Sequence, residues 1–543
     1  MNKLHWSMDS LILRNSTIFG FGWLFHEDFE IETLRLRILF ASSKEHMIEM
    51  DHGKPCSNTK HKWSTHRLAL NSGFVVYGGY PNHADYIIQI SVIGELINGS
   101  PFELIIPSNY LKTFNGETAG TDKKIILHQA TVLLKRACSL IRQGRFSSLV
   151  DKAGRYWAGI PRNRGKNIDA LVKYLAGDDI KRVVLVIDHD LGGGANQYRE
   201  RLIAEKISEG ATVLILTYHV LTLNHILVLR NQRTDERYAI PGINFVLDLA
   251  REVQLDDIIY NTAVSFVKPE EIPQLIIELK SIGDPHLTML VHDFFMICPS
   301  HFLLNDEGAF CGLPKPKICQ ACLDKNQQGF ATLFASKSMV HWRAAWGMVL
   351  GRADQIIAFS QNSLLLLSQA YPDLPMTRTI VRPHKVEHIQ CKPIQHEDTR
   401  RLRIGIVGQI GYHKGSRFVQ ELSQEIKRSK KDIQIIVIGA LEANCDASIV
   451  KQTGLYKHAE LPSLIQKTGA NIFLFPSIWP ETFSYVVQEL IGFELPVACF
   501  DLGAPAERLR TYSKGLVLNE LNASSVLRSL IDFHHRIYLN GEI

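Results

Sequence analysis

The stretch that most constrains this chain is Asn471 to Glu489, N-I-F-L-F-P-S-I-W-P-E-T-F-S-Y-V-V-Q-E. Its short apolar run, Ile472 to Phe475, is bounded by turn residues and reads as a strand buried on both faces. Pro476 and Pro480 then break the backbone, so the following residues form a loop at the strand's C-terminal end. Thr482 or Ser484 can cap a helix over Tyr485 to Phe493, with Glu489 inside it. Strand, loop and helix in this order belong to an open α/β sheet, whose ligands sit outside the C-terminal ends of its strands. Glu481 lies in the loop and Glu489 about two helical turns on, so both carboxylates can face one cleft.

Glu481 and Glu489, with P-E-T-F at Pro480 to Phe483 and E-L-I-G-F-E-L-P-V at Glu489 to Val497, give the stretch a likeness. It resembles the Glu-x7-Glu nucleotide-sugar signature of retaining glycosyltransferases of the GT-B architecture (glycosyl transferases group 1, family 4). That resemblance implies two Rossmann-like domains facing a cleft and a nucleoside diphosphate sugar as co-substrate. It also implies retention of anomeric configuration and no required metal. Glu481 would bind hydroxyls of the donor sugar and Glu489 the ribose, with Thr482, Phe483 and Ser484 on the donor side.

Upstream, V-V-L-V-I-D at Val183 to Asp188 is a near-continuous apolar run, as expected of a first parallel strand. H-D-L-G-G-G-A-N-Q-Y and a helix follow. Gly192, Gly193 and Gly194 let backbone amides approach a phosphate at the helix start. They do not fit the spaced G-x-G-x-x-G pattern, which argues against a dehydrogenase. By resemblance Gly193 and Gly194 lie toward the donor, and Gly192 and Asn196 toward the acceptor. Thr212 to Leu216 and Asp257 to Tyr260 are further strands, and Asn261 ends the latter on the acceptor side. Leu287 to Val291 is a strand running into H-D-F-F-M-I-C-P, so His292 and Asp293 sit at the ligand edge. His292 resembles the family's catalytic histidine, and Asp293 falls on the acceptor side.

The span 181–382 therefore reads as a first, acceptor domain, with a hinge after 383. A second, donor domain over 383–522 opens with L-R-I-G-I-V-G-Q-I-G-Y-H-K-G-S, Leu402 to Ser416. Gly408 and Lys414 offer backbone donors and one cation to a diphosphate. Lys414 resembles the family's phosphate lysine, whereas Gln409 stands where many members have arginine. Gly439 ends the next strand, near the base. Residues 523–543 read as a helix crossing back to the first domain. An epimerase or phosphorylase of the same architecture fits the same motifs. A non-catalytic carbohydrate-binding subunit would account for Gln409.

Residues 1–111 look all-β, with short apolar segments at sandwich-like spacing and Trp23 or Trp63 as candidate sugar-binding aromatics. The span 112–180 reads as a basic helical linker. Between Lys112 and Lys166 it carries twelve Lys and Arg against three Asp and Glu, while the whole chain has a net charge of only +5. Its Lys124 to Arg142 portion has the spacing of an amphipathic helix that can lie on an anionic membrane. No run is long and apolar enough to span a bilayer, and nine cysteines without a secretion signal suggest a reducing compartment. The expected location is cytoplasmic, with contact at the membrane face and a glycan or lipid-linked glycan as acceptor. Nucleic acid is not an expected partner. Cys311, Cys319 and Cys322 form a candidate structural zinc site, though their spacing is irregular.

Overall fold

The computed structural model describes residues 3–14, 16–54, 56, 59, 63, 66–80, 86–114, 168–177, 180–220, 222–323, 325–326, 338–386, 392–395 and 399–539. The basic helix expected at Lys124 to Arg142 lies outside them.

The N-terminal part is all-β. Its strands are β1 (Leu4–Arg14), β2 (Thr17–His26), β3 (Ile31–Phe40), β4 (Glu45–Lys54), β5 (Gly73–Gly79), β6 (Ile87–Leu96), β7 (Pro101–Ile105) and β8 (Leu111–Phe114). They form one hydrogen-bonded sheet in the order β7-β6-β3-β4-β5-β2-β1-β8. The expected sandwich-like arrangement takes the form of one continuous sheet whose two halves share a core. The joining strand is β4, whose polar sequence E-H-M-I-E-M-D-H-G-K hides its alternation; it pairs with β3 on one side and β5 on the other. Register shifts in β1, β3 and β4 bend the sheet. Leu11, Ile18, Leu36, Ile38 and Val92 close one core. Ile12, Phe19, Phe21 and Tyr77 leave by the opposite face and join the core of the next domain. Both faces of β1 and β2 are thus covered. Trp63, one of the candidate sugar-binding aromatics, packs with His5 at 4.1 Å and Phe25 at 5.6 Å between ring centroids.

The first α/β domain begins earlier than residue 181, because helix α1 (Ile168–Leu175) buries Leu171 and Leu175 in its core. It continues with β9 (Val183–Ile187), α2 (Gly194–Ser208), β10 (Thr212–His219), β11 (Asn224–Arg230), β12 (Asp235–Ile240), α3 (Asn244–Glu252) and β13 (Asp257–Tyr260). Then come α4 (Glu271–Ser281), β14 (His286–Val291), α5 (Pro316–Leu323), α6 (Met339–Arg352), β15 (Gln355–Ala358), α7 (Gln361–Ala370) and β16 (Thr379–Val381). The sheet order is β12-β11-β10-β9-β13-β14-β15-β16, parallel from β10 to β16, with β11 and β12 added antiparallel at one edge. The central strands are fully buried, as helices on both faces require.

The second α/β domain comprises β17 (Arg403–Ile410), α8 (Ser416–Ser429), β18 (Gln434–Leu441), β19 (Val450–Gln452), α9 (Leu461–Thr468) and β20 (Ile472–Phe475). It closes with α10 (Tyr485–Gly492), β21 (Val497–Phe500), α11 (Gly503–Arg510), β22 (Gly515–Leu518) and α12 (Ala523–Tyr538). Its sheet, β19-β18-β17-β20-β21-β22, is parallel throughout. The final helix was expected to cross back to the first domain. Its apolar stripe, Val526, Leu527, Leu530 and Phe533, instead completes the second domain's own core beside α8. No described helix is long and apolar enough to cross a membrane.

Candidate active site

The loops after β9, β14, β17 and β20 all leave the C-terminal ends of parallel strands, and the two domains touch through them. Thr482 Oγ1 donates to the carbonyl of His292 at 2.8 Å, and Tyr412 donates through its hydroxyl to the carbonyl of Gly308 at 3.2 Å. Phe302 of the first domain stacks on His413 of the second at 4.2 Å, with the indole of Trp479 4.7 Å away.

Glu481 is held by its backbone. Its amide donates to the carbonyl of Trp479, and its carbonyl accepts from Ala504 at the start of α11. Gly503 allows this approach: at its φ of +62° a Cβ would meet the carbonyl oxygen of Glu481 at 2.5 Å. The carboxylate is only 7% exposed, and its Oε1 is buried without a hydrogen-bond partner. Burial raises its pKa, while Lys414 and hydrogen bonds from the Ser477 and Trp479 region pull it back. Lys414 closes a 3-10 turn, Tyr412–Lys414, that leads through Gly415 into α8. Among the described residues its ammonium forms no hydrogen bond or ion pair. Gly415 is required here, because at φ +81° a Cβ would lie 2.0 Å from the carbonyl oxygen of Pro476. That contact locks the loop after β17 against the loop after β20.

Gly408 and Gly439 are paired side by side two residues before the ends of β17 and β18, so close that a Cβ on Gly439 would strike the Gly408 carbonyl. Gln409, exposed, follows at the edge. Ser484 caps α10 by accepting from the Val487 amide, which settles the capping residue. Glu489, one turn on, is 3% exposed, and Nε2 of His458 meets its Oε1 at 2.5 Å. Burial raises the Glu489 pKa, and His458 opposes the shift.

On the first domain, His292 stacks on Phe359 at 4.4 Å and lies 5.2 Å from the ring of His384. Its Nε2 is buried without a partner. Burial, then His384 and His189, push its pKa well below the ordinary value, so the ring is neutral. Asp293 accepts from the Thr262 hydroxyl and from the Phe295 amide. Burial raises its pKa to about 6. Asn261 donates to the carbonyl of Ala195 at 3.3 Å and leaves its Oδ1 buried without a partner.

The glycine turn before α2 is more self-contained than its sequence suggests. Gly192 and Gly193 have φ of +86° and +93° with open space around them, while Gly194 lies against the Tyr485 ring. Asn196, expected toward the acceptor, holds the turn: Oδ1 accepts from Gly192 at 2.6 Å, and Nδ2 donates to Asp188 and to the His189 carbonyl. Arg199 adds a buried ion pair with Asp188 at 2.9 Å.

Sequence reasoning missed His384. It stood in what reads as a polar hinge, yet it stacks on Phe483 at 4.3 Å and accepts or donates at the Tyr485 hydroxyl. Burial takes its pKa to about 3. Arg201 also reaches the Tyr485 hydroxyl, so one tyrosine ties α10 to both α2 and the hinge. The R-P-H-K run after β16 was the available signal. The zinc expectation fails among the described residues, where no group of three His, Cys, Asp or Glu is placed to hold a metal. Cys319 and Cys322 instead accept from Arg343 and Asn326 at 3.5 Å. Burial pushes the nearby Cys298 thiol up to about 12.

Residues 390–536 match the family model described as glycosyl transferases group 1. No curated protein matches the chain. Among solved structures it is similar to HepE of Anabaena in complex with UDP and glucose, at 16% identity and a TM-score of 0.40 over 65% of this chain and 89% of that one. It is similar to a glycosyltransferase from Rickettsia africae at 12% identity and TM-score 0.42, over 66% of this chain and 89% of that one. The pneumococcal O-GlcNAc transferase GtfA in complex with UDP and GlcNAc matches at 10% identity and TM-score 0.35, over 59% of each chain. The match to the group 1 glycosyltransferase model falls on the second α/β domain and supports a nucleotide-sugar-dependent glycosyltransferase activity.

Proposed function

We propose that the protein transfers a sugar, with retention of anomeric configuration, from a nucleoside diphosphate sugar to a hydroxyl acceptor. The observation that carries this reading is Glu481, whose buried, unpartnered Oε1 lies within electrostatic reach of Lys414 where the strand ends of both domains meet. An unpaired buried carboxylate is costly, and sugar hydroxyls would satisfy it. Departure of the nucleoside diphosphate breaks the anomeric C–O bond and leaves the electron pair on a phosphate oxygen. Lys414 and the amides opening α8 offset that charge. Glu489 takes the ribose, as the likeness of its motif implies. His292, neutral at working pH, presents Nε2 to a donor or acceptor hydroxyl, and the unpartnered Oδ1 of Asn261 serves the acceptor side. Contact between the loops of the two domains excludes water and limits hydrolysis.

The basic span 112–166 favours an acceptor presented at an anionic membrane face, consistent with cell-surface polysaccharide or glycolipid synthesis. Vesicle co-sedimentation that disappears at raised salt checks this part of the reading.

Transfer itself is tested by incubating the protein with nucleoside diphosphate sugars and candidate acceptors. The expected result is acceptor-dependent release of nucleoside diphosphate, with a product whose anomeric proton coupling matches the donor. Release without acceptor, or an inverted product, would refute the reading in that respect.

A further inference from the structure

The N-terminal sheet meets the second α/β domain at the back of the Lys414 loop. Nζ of Lys54, the last residue of β4, lies 2.7 Å from Oε1 of Glu442 and 3.0 Å from Asp51. Glu442 directly follows β18, and its amide donates to the carbonyl of Ile410 at 3.0 Å. Its other carboxylate oxygen packs on Gly411, where a Cβ would come within 3.0 Å of it. The Tyr412 amide also stabilises the charged form of that carboxylate. Nearby, Asn71 donates to the Glu442 carbonyl and, at 3.2 Å, to Asn444. The carbonyl of Gly411 in turn accepts from Lys414 and Ser416, both at 3.1 Å. An unbroken chain of contacts therefore runs from β4 through Glu442 and Gly411 to Lys414 and the first turn of α8.

We propose that Lys54 is a positioning residue for the donor-phosphate loop: by holding Glu442 it fixes Gly411 to Ser416 in the geometry that binds a diphosphate. The inference rests on the reading of Lys414 as the phosphate cation. Glu442 without its partner would swing toward solvent, and the Tyr412 and Gly411 backbone would lose its support. The loop would then have to be ordered by the ligand, at the ligand's cost in affinity. The N-terminal sheet is in this view a component of the donor site, although none of its residues touches the donor.

The test compares Lys54→Met, Lys54→Arg and Lys414→Met with the parent, using calorimetry with UDP, GDP and ADP and hydrogen exchange of the amides at 411–416. Lys54→Met should weaken nucleotide affinity about fivefold, as expected for a part-buried ion pair. It should speed exchange at 411–416 while leaving exchange in β1 and β2 unchanged, and Lys54→Arg should restore both. Parental affinity and exchange in Lys54→Met, with nucleotide binding lost in Lys414→Met, would overturn the role of Lys54 alone. Parental affinity in Lys414→Met would overturn the phosphate reading and this inference with it.

Discussion

The molecule contains two glycine-rich strand-to-helix turns of similar outline, and they are built to opposite ends. The turn between β9 and α2 turns its polar groups inward: Asn196 engages Gly192, Asp188 and the His189 carbonyl, and Arg199 pairs with a fully buried Asp188. The turn between β17 and α8 is closed by backbone bonds instead, the Gly411 carbonyl accepting from Lys414 and Ser416. Among the described residues its cation, Lys414, makes no hydrogen bond or ion pair, and its Gly415 is fixed by the backbone of Pro476. A glycine turn therefore announces tight geometry, and only the occupancy of its side chains says whether a ligand is awaited. The first turn is a structural joint beside the site; the second leaves the Lys414 ammonium available to a ligand.

This contrast can be broken by mutation. The largest effect is expected from Arg199→Leu, which strands the Asp188 carboxylate in the core and should cost about 3–5 kcal/mol of stability. Urea unfolding measures it, and a loss under 1 kcal/mol would mean that the first turn is not held by this pair. Next comes Lys414→Met, which should lower kcat by about 10²–10³ with an unchanged urea midpoint. A lowered midpoint with normal turnover would exchange the roles of the two turns.

Glu489→Gln sharpens the donor side. On the proposed ribose role it would remove a charge-assisted hydrogen bond, so donor affinity should fall by about 1.5–3 kcal/mol in calorimetry. Unchanged affinity would leave Glu489 as a partner for His458 only. The smallest effect concerns pH. Folding favours the protonated form of Asp293, because burial raises its pKa to about 6 from 3.8. Its contribution to stability is thus complete below the unfolded value and lost as pH rises through about 6. Asp293→Asn should flatten the dependence of the urea midpoint on pH across that window, and an unaltered profile would show that another group carries it.

The parts of this architecture legible in the sequence are those with strong local punctuation. Ile472 to Phe475 lies between turn signals and two prolines, and its strand limits are reproduced residue for residue. Asp257 to Tyr260 was equally legible. Strands β4 and β12 were not, since at least half of their residues are polar and their alternation yields no apolar run; β11 was passed over despite its apolar Ile226–Leu229. His384 was invisible as a site residue because its burial depends on Phe483 and Tyr485, about a hundred positions away. The engagement of Asn196 by its own turn was not legible, because spacing cannot tell an amide offered to a ligand from one held in this way. The ion pair of Lys54 with Glu442 spans 388 positions, and no local pattern marks either end.

The apolar face that β1, β2 and β5 share with the first α/β domain also bears on how the chain is made. Tyr77 donates to the carbonyl of Ser265 across 188 positions, and Ile12, Phe19 and Phe21 settle in the same core. At ribosomal speeds of about 5–20 residues per second, that partner surface emerges about 10–40 s after Tyr77. Through that interval the nascent sheet carries an uncovered aromatic surface. A chaperone-depleted translation system should therefore yield aggregates that contain the N-terminal segment, and supplying 1–114 as a separate chain should not rescue folding.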